Sequence, residues 1–150
     1  MVNDDCHEPS SQRGNIMTET TLDLAIRYGA AWAAHDPDAI VALHTDDTVF
    51  HMHGGGDPAE GRPAVREAIV AIFAQTPDLR FDRKTVYFGD GHIVTEYEMC
   101  GTADGVAFAC DGVDVFALSD GRIARKDTYL DWGSLQQQIG RDPAAQSQPA

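Results

Sequence analysis

Two stretches of the chain combine residue types and spacing that could do chemistry. In "VAFACDGVDVFAL", Val106 to Leu118, alternation puts Val106, Phe108, Cys110, Phe116 and Leu118 on one face, and Asp114 points with them. An ionised carboxylate is costly to bury unless it is paired, hydrogen-bonded or neutralised by a raised pKa. As a neutral acid on an apolar face, Asp114 can donate a hydrogen bond to charge developing on a substrate oxygen. Alternatively it is a structural acid, paired with a buried partner or capping a sheet irregularity near Gly112. The second stretch is "FHMHGGG", Phe50 to Gly56. His51 is either a group able to abstract a proton at neutral pH or a polar residue at a strand end. His51 and His53 share a strand face and could chelate a metal with His44 or an acidic residue. The spacing supplies no third ligand, and neither a metal nor a cofactor is expected.

These residues need elements to hold them. Thr20 or Thr21 is a possible N-cap for a first helix running to "HDPD", with Leu22, Ile26, Ala30 and Ala33 at helical spacing. A second stripe on it, Ala25, Tyr28, Trp32 and His35, predicts that two sides are covered. "DAIVALH" predicts a short second helix, and "TVFHMHGGG" a strand running into a glycine turn. A third helix follows in "EGRPAVREAIVAIFAQTPD", with Pro63 in its first turn and an apolar stripe of Val65, Ala68, Ile69, Ile72 and Phe73. The strands "LRFDRKTVYF", "HIVTEYEMC", the Asp114 strand and "RIARKDTYLDW" come next, separated by "GDG", "GTADG" and "SDG" turns. The expected fold class is α+β, a curved antiparallel sheet wrapped around a long N-terminal helix. One domain over residues 19–138 is expected between polar tails, 1–18 and 139–150, that read as disordered.

Composition narrows the partners. Eleven Lys and Arg against 24 Asp and Glu give a formal charge of -13, which repels phosphate backbones and anionic membranes. Nucleic acid and membrane are therefore not expected partners. The start shows no cationic stretch followed by an apolar run, which predicts a cytoplasmic protein. Cys6, Cys100 and Cys110 lack CxxC spacing and read as idle or buried thiols. No GxGxxG or GxxxxGK[ST] phosphate loop and no GxSxG elbow occurs, and "GGG" is read as a turn.

The element order, with "AWAAHDPDAIVALHTDDTVFHMHG", "GRPAVREAI" and "DGVDVFALSDGRIARKDTYLDW", resembles the SnoaL-like branch of the nuclear transport factor 2-like superfamily over residues 20 to 138. The resemblance implies a cone with a pocket between sheet and long helix, and a homodimer. In ketosteroid isomerases of this fold, a helix-one tyrosine and a protonated aspartic acid form the oxyanion hole. Tyr28 and Asp114 fall at those positions. The isomerases' base aspartate has no counterpart: the count from Tyr28 lands on Met52, between His51 and His53. Cyclases of the branch use an aspartate near the pocket, which makes Asp131 a second candidate to move a proton. In the last strand, Asp127, Tyr129 and Asp131 share one face, and the resemblance sends Thr128, Leu130 and Trp132 inward instead. The arginine of the epoxide hydrolases is missing from "VTEYEMC", which weakens that assignment.

Asp114, Tyr28, His51 and Asp131 are thus the candidate catalytic residues. Trp32, Phe50, Met52, His53, Tyr97, Phe108, Phe116 and Leu130 are the candidate lining of the substrate site. The expected activity is cofactor-independent proton transfer next to the carbonyl of a small apolar steroid, polyketide or terpenoid, as an isomerase or cyclase. A non-catalytic binding module is the alternative, and an epoxide hydrolase-like enzyme a further one.

Overall fold

The structure, a computed structural model, describes residues 21–140. The first helix, α1, spans 21–33 and turns Leu24, Ala25, Tyr28, Ala31 and Trp32 into the core. The stripe of Ala25, Tyr28 and Trp32 is therefore the buried one. Ile26 of the other stripe is 52% exposed, because one helix face suffices to cover the sheet. Thr20 lies outside the described residues, and Thr21 is already helical. Helix α1 stops where His35 takes a positive φ of 53°, its Nε2 bonded to the Leu79 carbonyl at 2.7 Å. Asp36 then caps α2 (Pro37–Ala42) by accepting from the Ala39 amide.

Strand β1 (His44–Met52) and the short β2 (Ala59–Glu60) precede α3 (Arg62–Gln75), whose Pro63 sits in the first turn and whose Val65 and Ile69 are fully buried. A meander of β3 (Arg80–Phe88), β4 (His92–Ala103), β5 (Val106–Ser119) and β6 (Arg122–Leu130) completes the sheet. Asp104–Gly105 and Asp120–Gly121 turn the β4–β5 and β5–β6 hairpins with both residues at positive φ, the conformation that favours Asp-Gly pairs. The six strands lie in the order β2-β1-β6-β5-β4-β3. One pairing differs from the expected antiparallel pattern: β1 runs parallel to β6. The chain reaches β6 only after crossing from β1 through β2, α3 and three further strands, so the two enter the sheet in the same direction.

The curved, unclosed sheet packs its inner face on α1, α2 and α3 around Trp32, Ile40, Phe50, Ile69, Ile93, Phe116 and Ile123. A smaller cluster of Phe108, Cys110 and Leu135 gathers where helix α4 (Trp132–Leu135) folds back. Residues Gln136–Gly140 form a single π-helical turn, so positions 139 and 140 of the expected tail belong to an element; 1–18 and 141–150 lie outside the described residues. No helix among the described residues is long and apolar enough to cross a membrane.

Candidate functional site

The alternation of β5 puts Asp114 on the inner face, and its neighbours follow from register. Asp114 stands opposite Thr95 of β4 and Thr128 of β6, and Phe116 stands opposite Lys126. Asp114 thus meets a cation from the adjacent strand: Lys126 Nζ lies 3.5 Å from Asp114 Oδ2, both side chains nearly inaccessible to solvent. The other carboxylate oxygen, Oδ1, accepts from the Thr128 hydroxyl at 2.6 Å and the Tyr97 hydroxyl at 2.9 Å. Tyr97 reaches it because Gly112 leaves room beneath the ring; a Cβ there would come within 2.6 Å of Tyr97. Both oxygens of Asp114 are thus engaged, by two hydroxyls and an ammonium, which is the paired, buried arrangement that was the alternative reading of this residue.

Aromatic rings surround that ammonium. Lys126 Nζ lies 4.3 Å from the Trp32 ring centroid, 5.0 Å from Phe50, 5.3 Å from Tyr28 and 5.8 Å from Phe116. Burial pulls Lys126 toward losing its proton, but the Asp114 carboxylate and Tyr28 outweigh it and hold the amine above its ordinary value. Lys126 is therefore an ammonium at neutral pH. Burial raises the Tyr28 hydroxyl above its usual range, with Lys126 opposing, and burial followed by Asp114 does the same to Tyr97.

Behind Tyr28 stands His44, fully buried, its Nε2 3.1 Å from the tyrosine hydroxyl and its Nδ1 2.8 Å from Thr48 Oγ1. Burial, with the charges of Lys126 and Arg62, lowers His44 to about 3, so it is a neutral imidazole that orients Tyr28.

These groups converge on a cavity of about 210 Å³ lined by Tyr28, Trp32, Phe81, Arg83, Tyr97, Asp114, Phe116 and Lys126, among others. Of the expected residues it gathers Asp114, Tyr28, Trp32, Tyr97 and Phe116. Phe50 and Met52 face the core beside it. Phe108 and Leu130 belong instead to the smaller cluster near α4. His51 and Asp131 are not in the cavity, which corrects the expectation that either handles its protons. With Phe50 and Met52 inward, strand parity sends His51 to the outer face, opposite Asp127. Asp131 caps α4 by accepting from the Ser134 amide and borders a separate depression with Lys84 and Tyr129.

His53, one of the expected lining residues, also lies outside the cavity. It bonds Asp127 Oδ1 through Nε2 at 2.8 Å and stacks on Tyr129 at 4.2 Å. The ligand atoms of His51, His53 and Asp127 lie within 4.8 Å of one another, a donor set a divalent cation accepts, whereas His44 points into the core. Both Asp127 oxygens, however, already receive Arg125, at 2.8 and 3.0 Å. Cys100 and Cys110 are free thiols, and Cys6 lies outside the described residues.

Sequence reasoning missed Lys126 and Arg83, and placed Thr128 inward by resemblance without giving it a role. The signal for Lys126 was its phase: it lies two residues before Thr128 and four before Leu130, on the face assigned inward.

The SnoaL-like domain model matches residues 25–126. The chain belongs to the SnoaL-like domain family. Among solved structures, it is similar to a protein with a ketosteroid isomerase-like fold from Catenulispora acidiphila DSM 44928, crystallised with trimethylamine. The two share 20% identity and a TM-score of 0.72, covering 78% of this chain and 92% of that one. A protein from Jannaschia sp. CCS1 described as a SnoaL-like polyketide cyclase gives 19%, 0.74, 83% and 94% in the same order. TerC, co-crystallised with polyporic acid, gives 15%, 0.72, 81% and 98%. At these identities the likeness is one of fold. The comparison with curated proteins found no match.

Proposed function

We propose that this SnoaL-like protein is a cofactor-independent isomerase or cyclase that moves a proton next to the carbonyl of a small, largely apolar molecule. The observation that carries this reading is the Asp114–Lys126 pair at the wall of an apolar cavity, with Tyr28 beside it. The substrate carbonyl oxygen takes hydrogen bonds from the Lys126 ammonium and the Tyr28 hydroxyl. Asp114 Oδ2, which meets Lys126 Nζ and no other hydrogen-bond donor among the described residues, takes a proton from the adjacent carbon. The electron pair left behind moves onto the oxygen as an enolate, stabilised by two donors in a water-poor site. Asp114 then returns the proton at another carbon, or the enolate carbon adds to a second carbonyl of the same molecule, whose π bond opens and whose oxygen takes the proton from Asp114. This assignment makes Asp114 the base, the role for which the expectation held His51 or Asp131. A cavity of about 210 Å³ suits a one- or two-ring compound better than a four-ring steroid.

The test is a β,γ-unsaturated cyclic ketone, followed by the absorbance of the conjugated enone. Wild type converts it, and Asp114→Asn, assayed at a temperature where circular dichroism shows it folded, lowers turnover at least about 100-fold. The second reading, a binding module, is favoured by the occupied Oδ1 and by the absence of His51 and Asp131 from the cavity. It wins if a naphthol binds wild type, binding weakens in Tyr28→Phe, and no ketone is converted. Pairing of two copies through the outer sheet face, where Tyr87, Val115 and Tyr129 are exposed, is part of the proposal, as is a cytoplasmic location. Sedimentation velocity decides the pairing.

A further inference from the structure

Arg83 is the exposed member of the cavity lining, so its guanidinium stands at the mouth. In a chain with more than twice as many acidic as basic residues, it has no ion-pair partner among the described residues. All other described lysines and arginines except Arg122 do. Its one polar contact is a 3.4 Å bond from Nη2 to the Ala25 carbonyl. Helix α1 makes space for it: Gly29 also lines the cavity, and a methyl there would run into Arg83 Nη2. A mid-helix glycine is unfavourable in itself, so its presence here goes with a guanidinium that needs to lie against the helix. In the same lining Trp32, 6% exposed, holds a buried Nε1 beside the Tyr28 hydroxyl, without a well-formed hydrogen bond between the two. Two buried donors side by side on one cavity wall suit an acceptor that a ligand brings to both.

We propose that the ligand of this cavity is an apolar carboxylic acid: its rings fill the aromatic interior, an oxygen at the buried end accepts from Trp32 Nε1, and its carboxylate pairs with Arg83. This names the substrate class of the proposed function and rests on that reading. A carboxylate matches one planar guanidinium in two parallel bonds. A phosphate dianion would meet a chain of charge -13 with a single unpaired cation at the mouth.

The test is a fluorescence titration with three probes: 2-naphthol, 2-naphthoate and 6-hydroxy-2-naphthoate. Wild type is expected to bind hydroxynaphthoate at least about tenfold tighter than naphthol, and Arg83→Gln to remove that advantage. Gly29→Ala is the second variant, since a methyl displaces only the end of a flexible side chain and favours the helix. It should retain the melting temperature and lose most of the preference. Hydroxynaphthoate binding no tighter than naphthol in wild type, or a preference that survives Arg83→Gln, overturns the inference while leaving the enolate site standing. Naphthoate binding that depends on Arg83, with no naphthol binding, supports the carboxylate contact and counts against the enolate site. Failure of all three probes overturns both.

Discussion

Strand β6 carries two adjacent cations, each held by an aspartate, on opposite faces of the sheet. Lys126 points inward to Asp114, and Arg125 points outward to Asp127. Each carboxylate has further donors, Thr128 and Tyr97 inside, His53 outside. The surroundings separate them. The two carboxylates are similarly covered, 11% exposed for Asp114 and 16% for Asp127, but the cations differ, 6% for Lys126 against 45% for Arg125. Water and salt reach the outer pair through Arg125, and Asp127 keeps His53 when the arginine is removed. The inner pair has no such recourse, so removing one partner strands a charge among Trp32, Phe50 and Phe116. Two ion pairs one residue apart therefore have different standing: one can tune a surface, the other defines a cavity.

The largest effect should follow from removing the inner cation alone. Lys126→Met is expected to lower unfolding free energy in urea by about 3–5 kcal/mol, because Asp114 stays buried without its counter-charge. Adding Asp114→Asn should recover most of that loss. The amide carbonyl still accepts from Thr128 and Tyr97, and no charge is left unpaired. A double variant as unstable as Lys126→Met would show that packing of the lysine stem around the rings, rather than charge, is what the site depends on.

The next effect separates the inner region by pH. His44 titrates at about 3 in the folded protein against 6.5 as its ordinary value, so between those values the unfolded chain binds the extra proton. Stability is present above pH 6.5 and falls as pH drops through this window, by about 2 kcal/mol at about pH 5. His44→Gln should flatten this slope in melting curves recorded from neutral to acid pH. An unchanged slope would assign the acid sensitivity to other groups.

Smaller again is the cost of moving Tyr97. Gly112→Ala places a Cβ within 2.6 Å of Tyr97 and 2.8 Å of Leu130, and should cost about 1–3 kcal/mol by displacing the ring from Asp114. Tyr97→Phe, which removes only the hydroxyl, should cost about 1 kcal/mol. Equal costs would place the whole effect in the hydrogen bond.

The inner and outer regions were not equally legible in the sequence. The face of Asp114 was readable because β5 alternates without interruption around it, giving buried Phe108, Cys110, Asp114 and Phe116. Lys126 keeps phase with Thr128 but not with the start of β6, and that break hid it. A register shift at Ala117/Leu118 leaves Ile123 and Lys126, three residues apart, both buried. A reading that follows apolar residues also passes over a lysine, whose burial depends on a carboxylate one strand away. For β1, Phe50 and His51 cannot both face inward on a regular strand, so parity alone already opposed His51 as a cavity base. Arg83 gave no periodic signal, since a cavity mouth is set by the curvature of the sheet and by the missing side chain at Gly29.

The smallest expected effect belongs to the outer pair, and it is the sharpest check on the comparison. Arg125 and His53 together hold Asp127 below its ordinary value against the burial that would raise it, so the carboxylate is charged at neutral pH. Because Arg125 is 45% exposed, Arg125→Gln should cost less than about 1 kcal/mol. That cost should vanish in about 1 M NaCl, where the screening length is about 3 Å. The Lys126→Met loss should persist in the same salt, since ions do not enter the space between the rings and Asp114. If both losses fade together, burial is not what separates the two pairs, and the inner one would then be open to solvent and poorly placed to stabilise an enolate.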